Sequence, residues 1–166
     1  MKTMPPAPIM EQPDVQYSVT GFAEIDQIRS LWEQLNDHHY ANARAFRDVY
    51  SAWGFDDRKA HFAKLALSGQ FRIDLASDPV SGSHVGYCVS SLSPLLDGEI
   101  ESVFVEAGFR SQGIGSALIA RALQWFEKQG AQRVRVSVAD GNEAAFPFYR
   151  KFGFYPRMTV LEQKKC

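Results

Sequence analysis

The sequence predicts an α/β domain: a mixed, mostly antiparallel central sheet of about six or seven strands, flanked by helices on both faces. Two observations predict it. Segments whose apolar residues alternate with period two interleave with segments whose apolar residues recur every 3.6 residues. Midway along the chain, three strand-like runs follow one another across short turns, a spacing that suits antiparallel pairing. A length of 166 residues suits one hydrophobic core.

Residues 1–14 carry Pro5, Pro6, Pro8 and Pro13 without periodicity, so they read as a flexible N-terminal tail ahead of one domain over 15–166. Residues 16–19 form the first strand. Ile25, Ile28, Leu31, Trp32 and Leu35 mark one face of a helix over 24–40. A second helix over 56–67 opens on Asp56 and Asp57, where acids suit the positive end of the helix dipole, and Ser68-Gly69 ends it. The period-two run 71–75, the turn 78–83 and the apolar run 85–92 make a hairpin, and 99–105 follows as a further strand. A helix over 113–128 stops at Gly130. The clean alternation of 133–138, a short helix over 145–151 and a last strand over 154–161 complete the order β-α-α-β-β-β-α-β-α-β.

Composition excludes several classes. Apolar residues make up 45% and charged residues 22% of the chain, as in ordinary globular proteins. Eighteen Lys and Arg against nineteen Asp and Glu leave a net charge of −1, with no basic surplus to hold a nucleic-acid backbone. A nucleic-acid interaction rests only on Arg133, Arg135, Lys164 and Lys165. No apolar run is long enough to span a bilayer, and the start lacks the apolar stretch of a secretory signal. Cys88 and Cys166 read as free thiols in a reducing compartment, so the expected location is cytoplasmic, with no membrane partner. His38 and His39 are neighbours on a helix and face different ways, so no metal site is expected there.

The sharpest segment is Val103-Phe104-Val105-Glu106-Ala107-Gly108-Phe109-Arg110-Ser111-Gln112-Gly113-Ile114-Gly115-Ser116. A strand ends, a short loop follows and a helix begins within the glycine pair. The first N–H groups of a helix lack intrahelical acceptors, and the dipole adds positive charge there. With Arg110 alongside, the segment suits a phosphate or pyrophosphate. Gly-Lys-Ser/Thr is absent, and Leu118 stands where a dinucleotide motif has its third glycine, so nucleoside-triphosphate and dinucleotide sites are disfavoured. A plain strand-to-helix turn is the alternative.

At these residues the chain resembles the GNAT superfamily of N-acetyltransferases. Arg110-Ser111-Gln112-Gly113-Ile114-Gly115 matches that family's acetyl-CoA signature, and Asn142-x-x-Ala145-x-x-Phe148-Tyr149-x-x-x-Gly153-Phe154 matches its pattern around the last helix. The strong match covers 99–154. The resemblance implies the acyl-CoA N-acyltransferase fold and acetyl-CoA as cosubstrate, with no metal. It also implies transfer of acetyl to a primary amine of a small molecule or peptide by direct attack on the thioester. Ser111, Gln112, Gly113, Ile114, Gly115 and Ser116 would hold the pyrophosphate. The strand end at Val103, Phe104 and Val105 would splay from that ending at Val138 and pair with pantetheine. Asn142 would bind the pantetheine arm, and Tyr149 would protonate the leaving thiolate. A homodimer is the family-level expectation for assembly. A non-catalytic acetyl-CoA sensor of the same fold is the alternative.

Read as residues, Asn142 equally suits a helix N-cap and Tyr149 a packed aromatic. Pro147 sits inside the expected last helix, so either that helix starts later than the motif suggests or its first turn is distorted. The acceptor amine must lose a proton before it attacks, and a carboxylate in an apolar cleft, or one working through water, could take it. Period two places Glu99 and Glu101 on one strand face with Val103 and Val105, and either acid could be that base. Glu99, six residues before Val105, has the spacing of the base in related histone acetyltransferases. Trp32, Tyr40, Phe46, Tyr50, Trp53, Phe55 and Phe62 line either an acceptor pocket or a core, and Asp37, Asp56 and Asp57 could attract a cationic amine.

Overall fold

The computed structural model describes residues 14–165. Apart from Asp14, the tail expected over 1–14 lies outside the described residues, as does Cys166. The order is β1 (Gln16–Thr20), α1 (Arg29–Asn42), α2 (Arg47–Ala52), α3 (Phe55–Ser68), β2 (Gln70–Ser77), β3 (His84–Leu92), β4 (Asp97–Val105), α4 (Ile114–Lys128), β5 (Arg133–Val136) and α5 (Phe146–Arg150). A seven-residue 3₁₀ segment kinked at Glu24, Phe22–Ile28, leads into α1, and single 3₁₀ turns, Ala107–Phe109 and Glu143–Ala145, lead towards α4 and α5. Among the described residues no helix is long and apolar enough to cross a membrane.

The sheet runs β1-β2-β3-β4-β5. Every pairing is antiparallel except the parallel one between β4 and β5. The α/β class and the mixed sheet are as expected, with five strands rather than six or seven. The strand expected over 154–161 is not formed. Alternation supplies a strand with two faces, but strand structure needs a neighbour to pair with, and Met158, Val160 and Leu161 are exposed. One helix is added, since α2 is short and buries no residue, leaving no stripe for periodicity to detect.

Two cores sandwich the sheet. Ile28, Leu31, Trp32, Phe55 and Phe62 from the α1 and α3 side meet Ile73, Leu75, Tyr87, Val89 and Phe104. On the other face, Ile114, Leu118, Ile119, Ala122 and Phe126 from α4 meet Val85, Cys88, Leu92 and Ile100. Asp74, fully buried in β2, accepts hydrogen bonds from Arg72 at 2.8 Å and from Arg121 of α4 at 3.0 Å, so the carboxylate stays paired where water is absent. Gly98 lets the Phe126 ring reach the sheet: a Cβ there would stand 2.7 Å from the ring edge and 3.2 Å from the Arg133 carbonyl oxygen. Gly98→Ala is therefore expected to destabilise the fold by about 1–3 kcal/mol in urea unfolding, with little change in the m-value.

The register of β4 corrects the face assignment made from period two. Val89 pairs with Ser102 but Ser90 pairs with Ile100, so Glu101 is an extra, bulged residue. Beyond it the alternation inverts. Val103 and Val105 pack towards the α4 core together with Ile100, whereas the Glu101 side chain bonds Ser91 and faces Arg58 of α3. Glu99 and Glu101 thus lie on the opposite face from Val103 and Val105. An extra residue in a strand leaves no mark on hydrophobicity, which is why counting by twos misplaced them.

Pro147 falls in the first turn of α5, which starts at Phe146 after the 3₁₀ turn. Its missing N–H is one that the first turn leaves unpaired anyway, so the later helix start resolves the conflict. Asn142 precedes the 3₁₀ turn but makes no side-chain capping bond.

Candidate active site

β5 follows β4 in parallel only from Asp97↔Arg133 to Ile100↔Val136. Past that point β4 continues to Val105 against β3 alone, while 137–139 leave regular structure. The bulge at Glu101 falls where the two strands part, and a bulge bends its strand and increases local twist. The gap opens into a cleft of about 630 Å³. Glu99, Glu101, Ser102 and Val103 line it from β4, and Ser137, Val138, Asn142 and Tyr149 from the far side. Helices α1 to α3 close it over with Trp32, His39, Tyr50, Trp53, Arg58 and His61.

At the end of β4 the backbone curls. Ser111 has φ 63° and Gly113 φ 79°, two left-handed residues on either side of Gln112, with α4 starting at Ile114. Such curls turn successive N–H groups towards one side. Among the described residues no backbone acceptor takes the N–H of Ser111, Gln112, Gly113, Ile114, Gly115 or Ser116. A Cβ at Gly113 would meet nothing within 4 Å, so this face stands open. Arg110 donates from Nε to the Val105 carbonyl oxygen at 3.0 Å and lies 5.3 Å from the Phe104 ring centroid, which anchors a cation beside the curl. Gly115 admits Phe148 of α5, whose ring would be 3.5 Å from a Cβ there, so the start of α4, the end of β4 and α5 converge. Donors, dipole and cation together can hold a dianionic diphosphate.

Tyr149 is 9% exposed and packs between Phe148 and Phe154, with ring centroids at 5.2 and 5.9 Å. Burial, with a smaller contribution from Cys88, holds its phenol above the usual tyrosine range, so it remains a proton donor at neutral pH. Burial likewise pushes the Cys88 thiol up to about 12, which leaves it un-ionised and unsuited to nucleophilic relay.

The two acids differ. Glu99 is bonded by Arg135 Nε at 3.0 Å and faces Ser137 Oγ at 3.4 Å. Glu101 accepts a bond from Ser91 Oγ at 2.6 Å, and its other carboxylate oxygen is 3.9 Å from Arg58. Desolvation raises the Glu101 pKa above its ordinary value, with Glu99 adding to the rise and Ser91 and Arg58 opposing it. A carboxylate so placed is poised to accept a proton nearer neutrality.

Other expected residues fall elsewhere. Asp56 bonds Arg29 at 2.9 Å, Asp57 takes the Gly54 N–H at 2.9 Å, and neither they nor Asp37 lines the cleft. Of the seven aromatics, Trp32, Tyr50 and Trp53 line it, while Phe55 and Phe62 are core. Asn142 Oδ1 stands 3.4 Å from His38 Nε2 at the rim. Arg133 and Arg135, two of the four cations on which a nucleic-acid reading leaned, pair with Asp97 and Glu99. Arg58, His39, His61 and Ser137 were missed because no motif marks them. Arg135 had a signal, the alternation that sets it beside Glu99 in register.

The family model described as the Acetyltransferase (GNAT) family matches residues 25–154, well over half of the chain. An uncharacterized N-acetyltransferase of Methanocaldococcus jannaschii is 33% identical over 87 residues, 49% of this chain and 38% of its own length. A phosphinothricin N-acetyltransferase of Streptomyces coelicolor is 31% identical over 103 residues, 60% of each chain. The matches thus span less than two thirds of these curated relatives. Among solved structures, an aminoglycoside N-acetyltransferase in complex with CoA superposes with a TM-score of 0.66 at 16% identity, covering 95% of this chain and 99% of its own.

Proposed function

The chain belongs to the GNAT acetyltransferase family, and from that membership we propose an acetyl-CoA-dependent N-acetyltransferase that moves acetyl to a primary amine of a small molecule or peptide. The observation that carries the reading is the parted β4–β5 pair opening beside an uncovered curl of backbone N–H groups. In this reading Ser111, Gln112, Gly113, Ile114, Gly115 and Ser116 hold the pyrophosphate, with Arg110 adding charge. Val103, Phe104 and Val105 present the strand edge to the pantetheine arm, and Asn142 bonds it from the opposite rim. The amine nitrogen attacks the thioester carbon, the C–S bond breaks, and an amide forms. Glu101 takes the amine proton, directly or through one water, and Tyr149 gives its proton to the departing thiolate. Glu99 orients Arg135 and Ser137 at the mouth of the cleft and is the second candidate for the base. Acceptors in the names of similar proteins, phosphinothricin and aminoglycosides, support a small-molecule amine.

A buried free thiol at Cys88 suits a reducing, cytoplasmic setting. One N-acetyltransferase domain over 15–166 accounts for both cores, and a homodimer is supported by the open edge of β5 and the exposed apolar residues of 154–161.

Thiol release from acetyl-CoA across grouped amines tests the activity. CoA binding with no release from any amine would instead favour the sensor. Gly113→Asp is expected to weaken CoA at least tenfold by calorimetry, because its carboxylate would meet the diphosphate in the curl. The fold should survive, since a Cβ there meets nothing within 4 Å and Asp tolerates left-handed backbone.

A further inference from the structure

The walls of the cleft narrow the acceptor, and this step rests on reading the cleft as the acetyl-acceptor site. Helix α2 carries Val49 and Tyr50 yet buries no residue. Val49 and, just beyond the helix, Trp53 are 44% and 45% exposed, and both line the cleft. Asn36 donates to the carbonyl oxygens of Tyr50 at 2.8 Å and Trp53 at 3.3 Å, so this apolar wall is held in place before any ligand arrives. Trp32, Leu35 and Leu65 continue it inward. Apolar side chains turned into a cleft rather than a core need an apolar body to cover them.

The charges lining the same space are already matched. Arg58 faces Glu101, and Arg135 is bonded to Glu99. The remaining titratable groups in the lining are His39, His61, Tyr50 and Tyr149, and burial raises both phenols, so neither tyrosine carries charge at pH 7. Burial takes His39 down to about 4, with His38 adding to the fall, and its Nδ1 has no hydrogen-bond partner. Burial also lowers His61. Both rings are neutral at pH 7. Among the described residues lining the cleft, no unmatched acid remains for a second ammonium group, and no unmatched cation for a phosphate or carboxylate. A second ligand charge would be desolvated without a partner. The volume, about 630 Å³, is that of a small-molecule site.

We infer that the acceptor is a small primary monoamine carried on an aromatic or similarly flat apolar body, with no second charge, seated between Trp53, Tyr50 and Trp32. The amine reaches towards Glu101, and the ring lies against the α2 wall.

The test compares 2-phenylethylamine and tryptamine with spermidine and glucosamine 6-phosphate in acetyl-CoA thiol release. A parallel tryptophan-fluorescence titration of the protein with 2-phenylethylamine reads binding without turnover. The arylalkylamines should show kcat/KM at least tenfold above the charged acceptors. Trp53→Ala should raise the KM for 2-phenylethylamine roughly tenfold while that for acetyl-CoA stays within twofold. Equal or better turnover of spermidine or glucosamine 6-phosphate overturns this inference and leaves the acetyltransferase reading standing. Saturable binding of 2-phenylethylamine with no thiol release from any amine overturns the acetyltransferase reading and leaves only the preference of the cleft for an aromatic monoamine. An arylalkylamine that neither binds nor reacts overturns the inference as well.

Discussion

Tyr149→Phe is expected to lower kcat by roughly 10²-fold, the scale on which a positioned general acid contributes. The phenol is protonated at neutral pH, its pKa held above the usual tyrosine value by burial, so it can donate a hydrogen bond to the thiolate as the C–S bond breaks. Transfer to a thiol of pKa near 8.5 is completed by the proton that the attacking nitrogen sheds, which restores the phenol. Loss of the hydroxyl leaves the ring in place between Phe148 and Phe154, so the α4-side core keeps its packing. The KM for acetyl-CoA should therefore stay within about twofold and the melting temperature nearly constant, which separates a chemical role from a structural one. The loss should also be largest for acceptors whose chemistry, rather than product release, limits turnover. A variant that turns over at the wild-type rate would show that water protonates the thiolate and that Tyr149 is only a packed aromatic.

The parts of this architecture legible in sequence were those whose function also sets their local pattern. Helix α4 must bury Ile114, Leu118, Ile119, Ala122 and Phe126 along one stripe, and the curl before it needs Gly113 at φ 79°, so periodicity and motif coincide there. The floor of the cleft was only half legible. Glu99 and Glu101 were found as acids on a strand, but the bulge that turns Glu101 towards Arg58 and Ser91 depends on the register against β3, which pairing alone decides. Tyr50 and Trp53 stood out only as aromatics, and the α2 helix itself was invisible for a related reason: a short helix whose apolar residues face a cleft has no buried stripe to betray it. Alternation over 154–161 misled in the opposite direction, showing a strand pattern where the described structure offers no partner.

Glu101→Gln is expected to separate activity from stability, moving them in opposite directions. Desolvation raises the folded pKa of Glu101 above its unfolded value of about 4.3. Its stabilising contribution is then fully present below that unfolded value and is lost as pH rises through the folded pKa, where a charged carboxylate occupies a dry site. Glutamine keeps an oxygen for Ser91 and carries no charge, so the variant should melt higher than wild type at pH 8, with the gap closing towards pH 4. Turnover should fall by roughly 10²-fold, because the amine loses its proton acceptor. In wild type, kcat/KM should decline on the acid side as Glu101 takes up a proton, and in the variant that limb should flatten, leaving only the ionisation of the amine itself. Glu99→Gln, which breaks an ion pair with Arg135 rather than removing a desolvated base, should cost only a few-fold and keep the limb. The reverse result, with the large loss and the flattened limb appearing in Glu99→Gln, would transfer the base to Glu99. The histone-acetyltransferase spacing would then outweigh the local desolvation at Glu101.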